Sequence, residues 1–472
     1  MGNDSKTKLI SPEFSSPDST QYKVYPYRFV VYILTCLSSM QNFMMWSVVY
    51  PLQSTNSDIY DLNLAWIVFG TSTIQNITYL PGTFLANYFY DQIGIRAGTF
   101  VGGVLTLAGL WVRSLCGTAD GFWYIMAGHT LGGIGQPFFF NIPQKISSTW
   151  FSPKERTYAT TGMTIFFSMA NSIGSLIPQF FLKDDQSKEE KITQIQKMFL
   201  FTAILGTISY IPGFLFIRSK PDTPPSAAQE ESEKANKDFK QNLKNLWNNK
   251  NATIFIIACA FNQSATISFS YILEPLLQAF DFNYEDASNI FSLANFLQIP
   301  GAFLGAIVVS KTSKYKLPVI GLSFLGVALI LGVMMTAATG LRWLLMTYYC
   351  ICYFFQGPIV PLTLEFVVEL AFPVGEATSG GLIVMLYEII SCPITILTSN
   401  YLNHPNKTSA TVCFFILAGV CAIGAFMMFF VKEDLRRQKF EKAQAHQDDS
   451  ILDKSKSETV KAEELGSDYT SI

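Results

Sequence analysis

The stretch PLTLEFVVELAFPVGEATSGGLIVMLYEII (361–390) carries Glu376 at its hairpin and three further carboxylates, Glu365, Glu369 and Glu388, in otherwise apolar surroundings. The stretch reads as the end of one membrane helix, a hairpin around Pro373 and Gly375, and the start of the next. An ionised side chain at the bilayer centre costs roughly 2.5–3.5 kcal/mol, so such a residue faces a polar cavity or a partner. Glu388 lies about ten residues into its helix, near mid-membrane at ~1.5 Å per residue. A carboxylate at that depth can attract a cation, carry a proton, or pair with another helix. Glu365 and Glu369, nearer the helix end, are expected to be structural. Other polar side chains fall inside apolar runs: Gln136, Asn141, Gln144, Asn171, Asn262 and Gln263. Each either lines a cavity or holds helices together. His129 suits packing better than proton relay. Arg113 and Glu274 sit near helix ends, from which they are expected to snorkel toward water.

The elements that must position these groups are membrane spans. The chain of 472 residues is 49% apolar and only 14% charged, against about 25% charged in soluble domains. A soluble surface is hard to build from so little charge, whereas lipid needs none. Apolar runs long enough for about 30 Å of hydrocarbon occur near 27–50, 65–89, 98–116, 122–144, 157–182 and 197–217, and again near 252–276, 287–310, 317–337, 342–370, 378–401 and 409–431. The expected fold is therefore all-α, with twelve transmembrane helices in two six-helix bundles at 27–217 and 251–431. Residues 1–26 read as a disordered cytosolic tail, 218–250 as a cytosolic central loop and 432–472 as a second cytosolic tail. Within the central loop, Phe239, Leu243, Leu246 and Trp247 share one helical face, as in a helix lying on the membrane or against the bundle. The eight cysteines are scattered through apolar runs and read as small buried residues.

Lys and Arg collect in alternate loops, including Lys145, Lys154, Arg156, Lys311, Lys314, Lys316 and the central loop, which puts both termini in the cytosol. Asn406-Lys407-Thr408 is then a glycosylation sequon on the outer side, and Asn251-Ala252-Thr253 an unmodified one inside. The net charge of −2 offers nothing to nucleic acid. No nucleotide loop, metal array or nucleophilic triad is present, so neither enzyme activity nor a cofactor or metal is expected. The expected partners are a small-molecule substrate and the lipid bilayer, with the protein monomeric in a plasma or internal membrane.

Two resemblances sharpen this. DQIGIRAG after span two, with Asp91, Gly94 and Arg96, resembles the D-R-x-G-R signature of the major facilitator superfamily, although Gln92 stands where a basic residue is usual. That resemblance implies a cytosolic latch at these positions. CLSSMQNFMMW (36–46), IPQKISSTWFSPKERTYAT with Ser175-Leu176-Ile177-Pro178, and PLTLEFVVELAFPVGEATSGGL (361–382) are similar to the feline leukaemia virus subgroup C receptor-related family, solute carrier family 49. That family implies a transporter of choline or ethanolamine, with haem and pyridoxine also proposed as cargo within it. Its choline-packing tryptophan corresponds to Trp46, and its span-seven aromatic to Ile267, with Phe269 two residues on. Its two glutamines correspond to Ser168 and Glu388. Trp46 keeps a second reading, an interfacial aromatic beside Tyr50 and Pro51. The resemblance leads to a carrier of a small organic cation or amine working by alternating access, as a uniporter or coupled to protons. A porphyrin exporter and a transport-inactive receptor are the alternatives.

Overall fold

The computed structural model describes residues 23–183, 185–226, 239–312, 314–374, 376–440 and 442–443. The side chains of Asp91, Ser310, Glu376 and Ala377 and of residues 239–243 lie outside that description. The described residues are helical, with no strand among them. Nine helices are long and apolar enough to cross a membrane on those grounds alone. Three further crossings, spans two, four and five, complete two bundles of six.

These three fall short because their sequences are polar or broken. Span two (64–93) runs Leu64–Val68, a wide turn Phe69–Thr73, Ile74–Tyr88 and a second wide turn Phe89–Ile93. Span four (122–150) is Phe122–Gly135, Pro137–Phe140 and Ile142–Trp150. Pro137 and Pro143 open its second and third pieces, where a missing N–H costs least. Span five (156–180) is Arg156–Leu176, rich in Thr and Ser, with a last tight turn Ile177–Phe180 begun beside Pro178. The remaining spans are one (Arg28–Ser47), three (Ile95–Arg113), six (Lys188–Phe216), seven (Lys250–Tyr271), eight (Tyr284–Thr312), nine (Lys316–Ala338), ten (Arg342–Ala371), eleven (Glu376–Tyr401) and twelve (Lys407–Met427).

Spans six and eight begin several residues before their apolar runs. Ser187 and Glu190 form a reciprocal cap at the start of span six, and Asn283 and Asp286 exchange backbone bonds at 2.9 and 3.3 Å before span eight. Polar capped turns extend a helix beyond the hydrocarbon, where hydropathy gives no signal.

Glycines set the closest helix approaches. A Cβ at Gly128 would lie 2.5 Å from the carbonyl oxygen of Gly109, and one at Gly301 would overlap the carbonyl of Phe354. Spans three and four, and spans eight and ten, therefore touch backbone to backbone. Phe100, Ile208, Leu215, Phe296 and Phe415 are exposed, as a lipid-facing surface requires. Between the halves, the helix Phe239–Asn248 packs on spans seven and eleven, with Leu246 buried and Trp247 exposed.

The face carrying residues 23 and 443 is bound together by polar contacts. Arg28 grips Glu155 through two bonds of 2.8 and 3.0 Å. Asn251 and the backbone of Lys432 bond reciprocally at 2.5 and 2.6 Å, so the amide of the inner sequon is engaged. Glu433 accepts from Tyr315 N–H at 2.6 Å, and Glu369 accepts from Gln438 N–H at 3.2 Å. Glu365 and Glu369 both lie near Tyr315 and Arg437 at this end of span ten. Gly94, at φ 117°, turns the chain after span two, and Ser219 of the central loop accepts from Arg96 N–H at 3.2 Å. The Arg96 side chain is exposed; the Asp91 carboxylate lies outside the described atoms.

Two side chains depart from the snorkelling expected of them. Arg113 is fully buried, donating to Met45 O at 2.5 Å and Thr202 Oγ1 at 2.8 Å with its guanidinium over Phe199. Glu274 is 4% exposed and accepts from Ser54 N–H at 3.0 Å. Both turn inward because backbone groups and a hydroxyl meet them there, which proximity to a helix end does not reveal.

Candidate functional site

The halves enclose a cavity of about 190 Å³ at the centre of the bundle. Its walls come from helix faces where polar or aromatic residues recur three or four positions apart. Span one and its extension give Phe43, Trp46 and Tyr50; span four gives Gln136 and Phe140; span five gives Ser168 and Asn171. Span seven gives Gln263, Ile267 and Tyr271, span eight Asn295 and Gln298, and span eleven Ile383, Val384 and Tyr387. No Asp, Glu, Lys, Arg or His lines it among the described residues. Ligand pockets for drug-sized molecules run to roughly 300–1,000 Å³, so this one suits a smaller solute.

Rings pack against one another along the cavity's axis. Toward the face with the chain ends, Phe43, Phe140 and Phe167 pack with centroids 4.1–5.4 Å apart. Toward the opposite face, Tyr50 meets Tyr271 at 5.2 Å and Phe291 at 6.1 Å. Beyond that roof, Glu274 of one half holds Ser54 N–H of the other. On the far side of the floor, spans four and eleven touch where Gln144 and Asn141 lie against Gly380 and Gly381. The halves thus meet above and below the cavity.

Side seams carry polar pairs. Spans five and eight are joined by Ser168 Oγ donating to Gln298 Oε1 at 2.7 Å, by Asn171 to Asn295 at 3.4 Å and by the Ser172 and Ser292 hydroxyls at 3.1 Å. Across spans two and eleven, Asn76 donates to Ser391 Oγ at 2.6 Å and accepts from Tyr271 OH at 3.0 Å.

Of the residues singled out from sequence, Trp46, Ser168, Ile267, Gln136, Asn171 and Gln263 line the cavity. Trp46 is 1% exposed, edge-on to His129 with centroids 4.8 Å apart, and its indole N–H has no partner in the structure. His129 bonds to Thr71 O at 2.8 Å. Three others point elsewhere. Asn262 ties span seven to Ser323 O and Cys421 O at 3.2 and 3.1 Å. Asn141 accepts from Tyr79 OH at 2.6 Å. Glu388 is fully buried one layer behind the wall, within electrostatic reach of Tyr50, Tyr79, Tyr271 and Tyr387, and neither carboxylate oxygen has a hydrogen-bond partner. Asn406 is exposed and caps span twelve, accepting from Ser409 N–H at 2.8 Å.

Sequence reasoning did not single out the tyrosines around Glu388 or the phenylalanine floor. Their signal is present in hindsight: Phe43, Trp46 and Tyr50 are spaced three and four apart, and Gln263, Ile267 and Tyr271 four apart. In a membrane helix such aromatics also serve the lipid face, so spacing alone does not orient them.

Two bundles of six spans around one central cavity define a major facilitator carrier. Residues 31–392 match the Major Facilitator Superfamily, and the chain belongs to it. It is 25% identical over 462 residues to the zebrafish (Danio rerio) choline/ethanolamine transporter flvcr2a, covering 96% of both chains. It is 26% identical to the cat (Felis catus) choline/ethanolamine transporter FLVCR1, over 87% of this chain and 73% of that one. Solute carrier family 49 member A3 of Xenopus tropicalis is 26% identical over 88% and 89% of the two chains. Among solved structures, the proton:xylose symporter XylE superposes with a TM-score of 0.64 at 14% identity, covering 88% of this chain and 98% of that one. A bacterial homologue of the lysosomal transporter Spinster gives 0.64 at 13%, over 88% and 99%. These structures share the fold.

Proposed function

We propose that the protein carries a small organic cation or amine, of the choline and ethanolamine class, across the membrane by alternating access of its two halves to the central cavity. The observation that carries this reading is a small cavity walled by aromatic rings and by amide and hydroxyl groups, with a lone carboxylate behind the rings. An alkylammonium ion has one diffuse positive charge and few hydrogen-bond donors. Ring faces attract it by up to about 2 kcal/mol once water is excluded, and Glu388 adds a field of the right sign through the tyrosine layer. Similarity to choline/ethanolamine transporters over nearly the whole chain supports the same class. The cavity size and the lack of any histidine in its described wall favour this cargo over a porphyrin. Trp46, Ser168, Ile267 and the amides Gln136, Asn171 and Gln263 form the proposed binding surface. The basic loops place both termini in the cytosol in this reading, with Asn406 outside.

Uptake of labelled choline and ethanolamine into vesicles of purified protein tests the reading. Saturable flux of at least one amine is expected. Losing a ring contact of about 2 kcal/mol in Trp46→Ala should weaken apparent affinity about thirtyfold. Absence of saturable flux of either amine by the wild type would overturn the cargo class, and unchanged affinity in Trp46→Ala would remove Trp46 from the site.

A further inference from the structure

The cavity accounts for the cargo, yet the most costly group in the membrane lies outside it. Glu388 is fully buried, both of its oxygens lack partners, and no charged group among the described residues acts on it. The titratable groups that face it are Tyr50 from the extension of span one, Tyr79 from span two, Tyr271 from span seven, and Tyr387 and Cys392 from its own helix. None of these brings a positive charge. A lone carboxylate in such surroundings requires a counter-charge, and the described chain supplies none. The counter-charge therefore comes from outside.

Two observations limit what it can be. Glu388 does not reach the cavity surface, so nothing the size of an amine touches its oxygens in this conformation. Tyrosine hydroxyls lie near it on two sides, though none bonds to its carboxyl. Tyr50 and Tyr271 interact side by side at the cavity roof, Tyr271 OH bonds to Asn76 and Asn76 to Ser391, and Ser391 Oγ donates to the Glu388 carbonyl at 2.7 Å. On the other side Tyr79 OH bonds to Asn141. These bonds end on the Glu388 backbone carbonyl and on Asn141, so the carboxyl itself stays unbonded and enclosed, with room for a proton and not for a larger ion.

We propose that Glu388 is the binding site of a coupling proton, separate from the cargo cavity, and that the carrier exchanges one proton for one cationic cargo. Carboxylate plus proton gives the neutral carboxyl in the empty carrier. An alkylammonium ion entering the cavity one ring layer away then supplies the positive charge, and the proton leaves to the same side from which the cargo came. One negative charge is balanced by one positive charge in either state, because two cations around one buried carboxylate repel at low dielectric. This inference rests on the cargo reading above for its exchange partner, but not for the proton site itself.

The experiment uses purified full-length protein in vesicles held at zero membrane potential. One-for-one exchange requires choline to accumulate about tenfold for each pH unit by which the lumen is more acidic than the outside. Glu388→Gln should reduce that gradient-dependent ratio to one, and Glu388→Asp should restore part of it. In parallel, infrared difference spectra of the protein on acidification should show a protonated-carboxyl band that is missing in Glu388→Gln. Wild-type choline flux that ignores the pH gradient would overturn the exchange. Identical spectra for wild type and Glu388→Gln would overturn the proton site, even if neither amine proved to be a cargo. A carboxyl band without any amine flux would instead place the failure in the cargo reading.

Discussion

At the scale of single residues, the side chains divide by what meets them inside. Glu155 is the simplest case, because it lies in a loop outside the spans. Burial pushes its carboxyl up, but the Ser152 hydroxyl and the Arg28 guanidinium outweigh this and hold it below the usual range. A depressed carboxylate contributes stability that is complete above its unfolded pKa of about 4.3 and is lost as pH falls through its folded value. Glu155 is 42% exposed, so the contribution is about 0–1 kcal/mol. Glu155→Gln should melt slightly below wild type at neutral pH, and the gap should close as the medium is acidified below pH ~4. A gap that widened in acid would contradict the sign. The same contrast explains what could be read from sequence among the polar residues. That Glu388 must sit in protein and not in lipid followed from its depth. Whether it faced the cavity or lay one ring behind it depended on Tyr50, Tyr271 and Tyr387, which belong to three different elements. Arg113 and Glu274 were misjudged for the same reason, since their partners Met45 O, Thr202 and Ser54 N–H are remote in sequence.

At the scale of elements, spans with uniform apolar runs were legible to within a few residues, apart from the polar, capped start of span six at Lys188, because lipid rewards one property over a fixed length. Spans two, four and five were located equally well, but their breaks at Phe69–Thr73, Pro137 and Pro143 show only in coordinates. What sequence could not state is which glycine matters. Gly301 and Gly357 face each other across spans eight and ten: a Cβ at Gly301 would overlap Phe354 O, and one at Gly357 would lie 2.6 Å from Ala302 N. Neither backbone can move without separating the helices. Gly321 has nothing within 4 Å of its would-be Cβ. Gly301→Ala should therefore cost about 1–3 kcal/mol through overpacking, seen as a lower melting temperature in detergent. Gly321→Ala should be neutral, or gain up to about 1 kcal/mol from reduced backbone entropy. Equal behaviour of the two variants would mean that spans eight and ten are not packed this closely.

At the scale of the whole molecule, the question is which contacts a rocking motion must break. The halves touch above the cavity, below it, and along two seams, of which the one between spans five and eight is the more extensive. The seam bonds are single hydroxyl and amide pairs, worth about 0.6 kcal/mol each in membrane proteins. A carrier needs that weakness, since each opening forfeits one set of contacts while the other persists. The Ser172 and Ser292 hydroxyls, 3.1 Å apart on the roof side of the span five and eight seam, lie where opening away from the chain ends must pull the halves apart. Their spacing is near that which a disulfide needs, about 2 Å between sulfurs with small adjustment of the side chains. Ser172→Cys with Ser292→Cys should cross-link under mild oxidant, stop amine flux, and recover it on reduction, while either single substitution transports in both conditions. Because the bond closes only one side, the cavity should stay reachable from the face with the chain ends. Full flux through a fully cross-linked carrier would mean that this seam stays closed through the cycle, and the halves would then have to part along spans two and eleven alone.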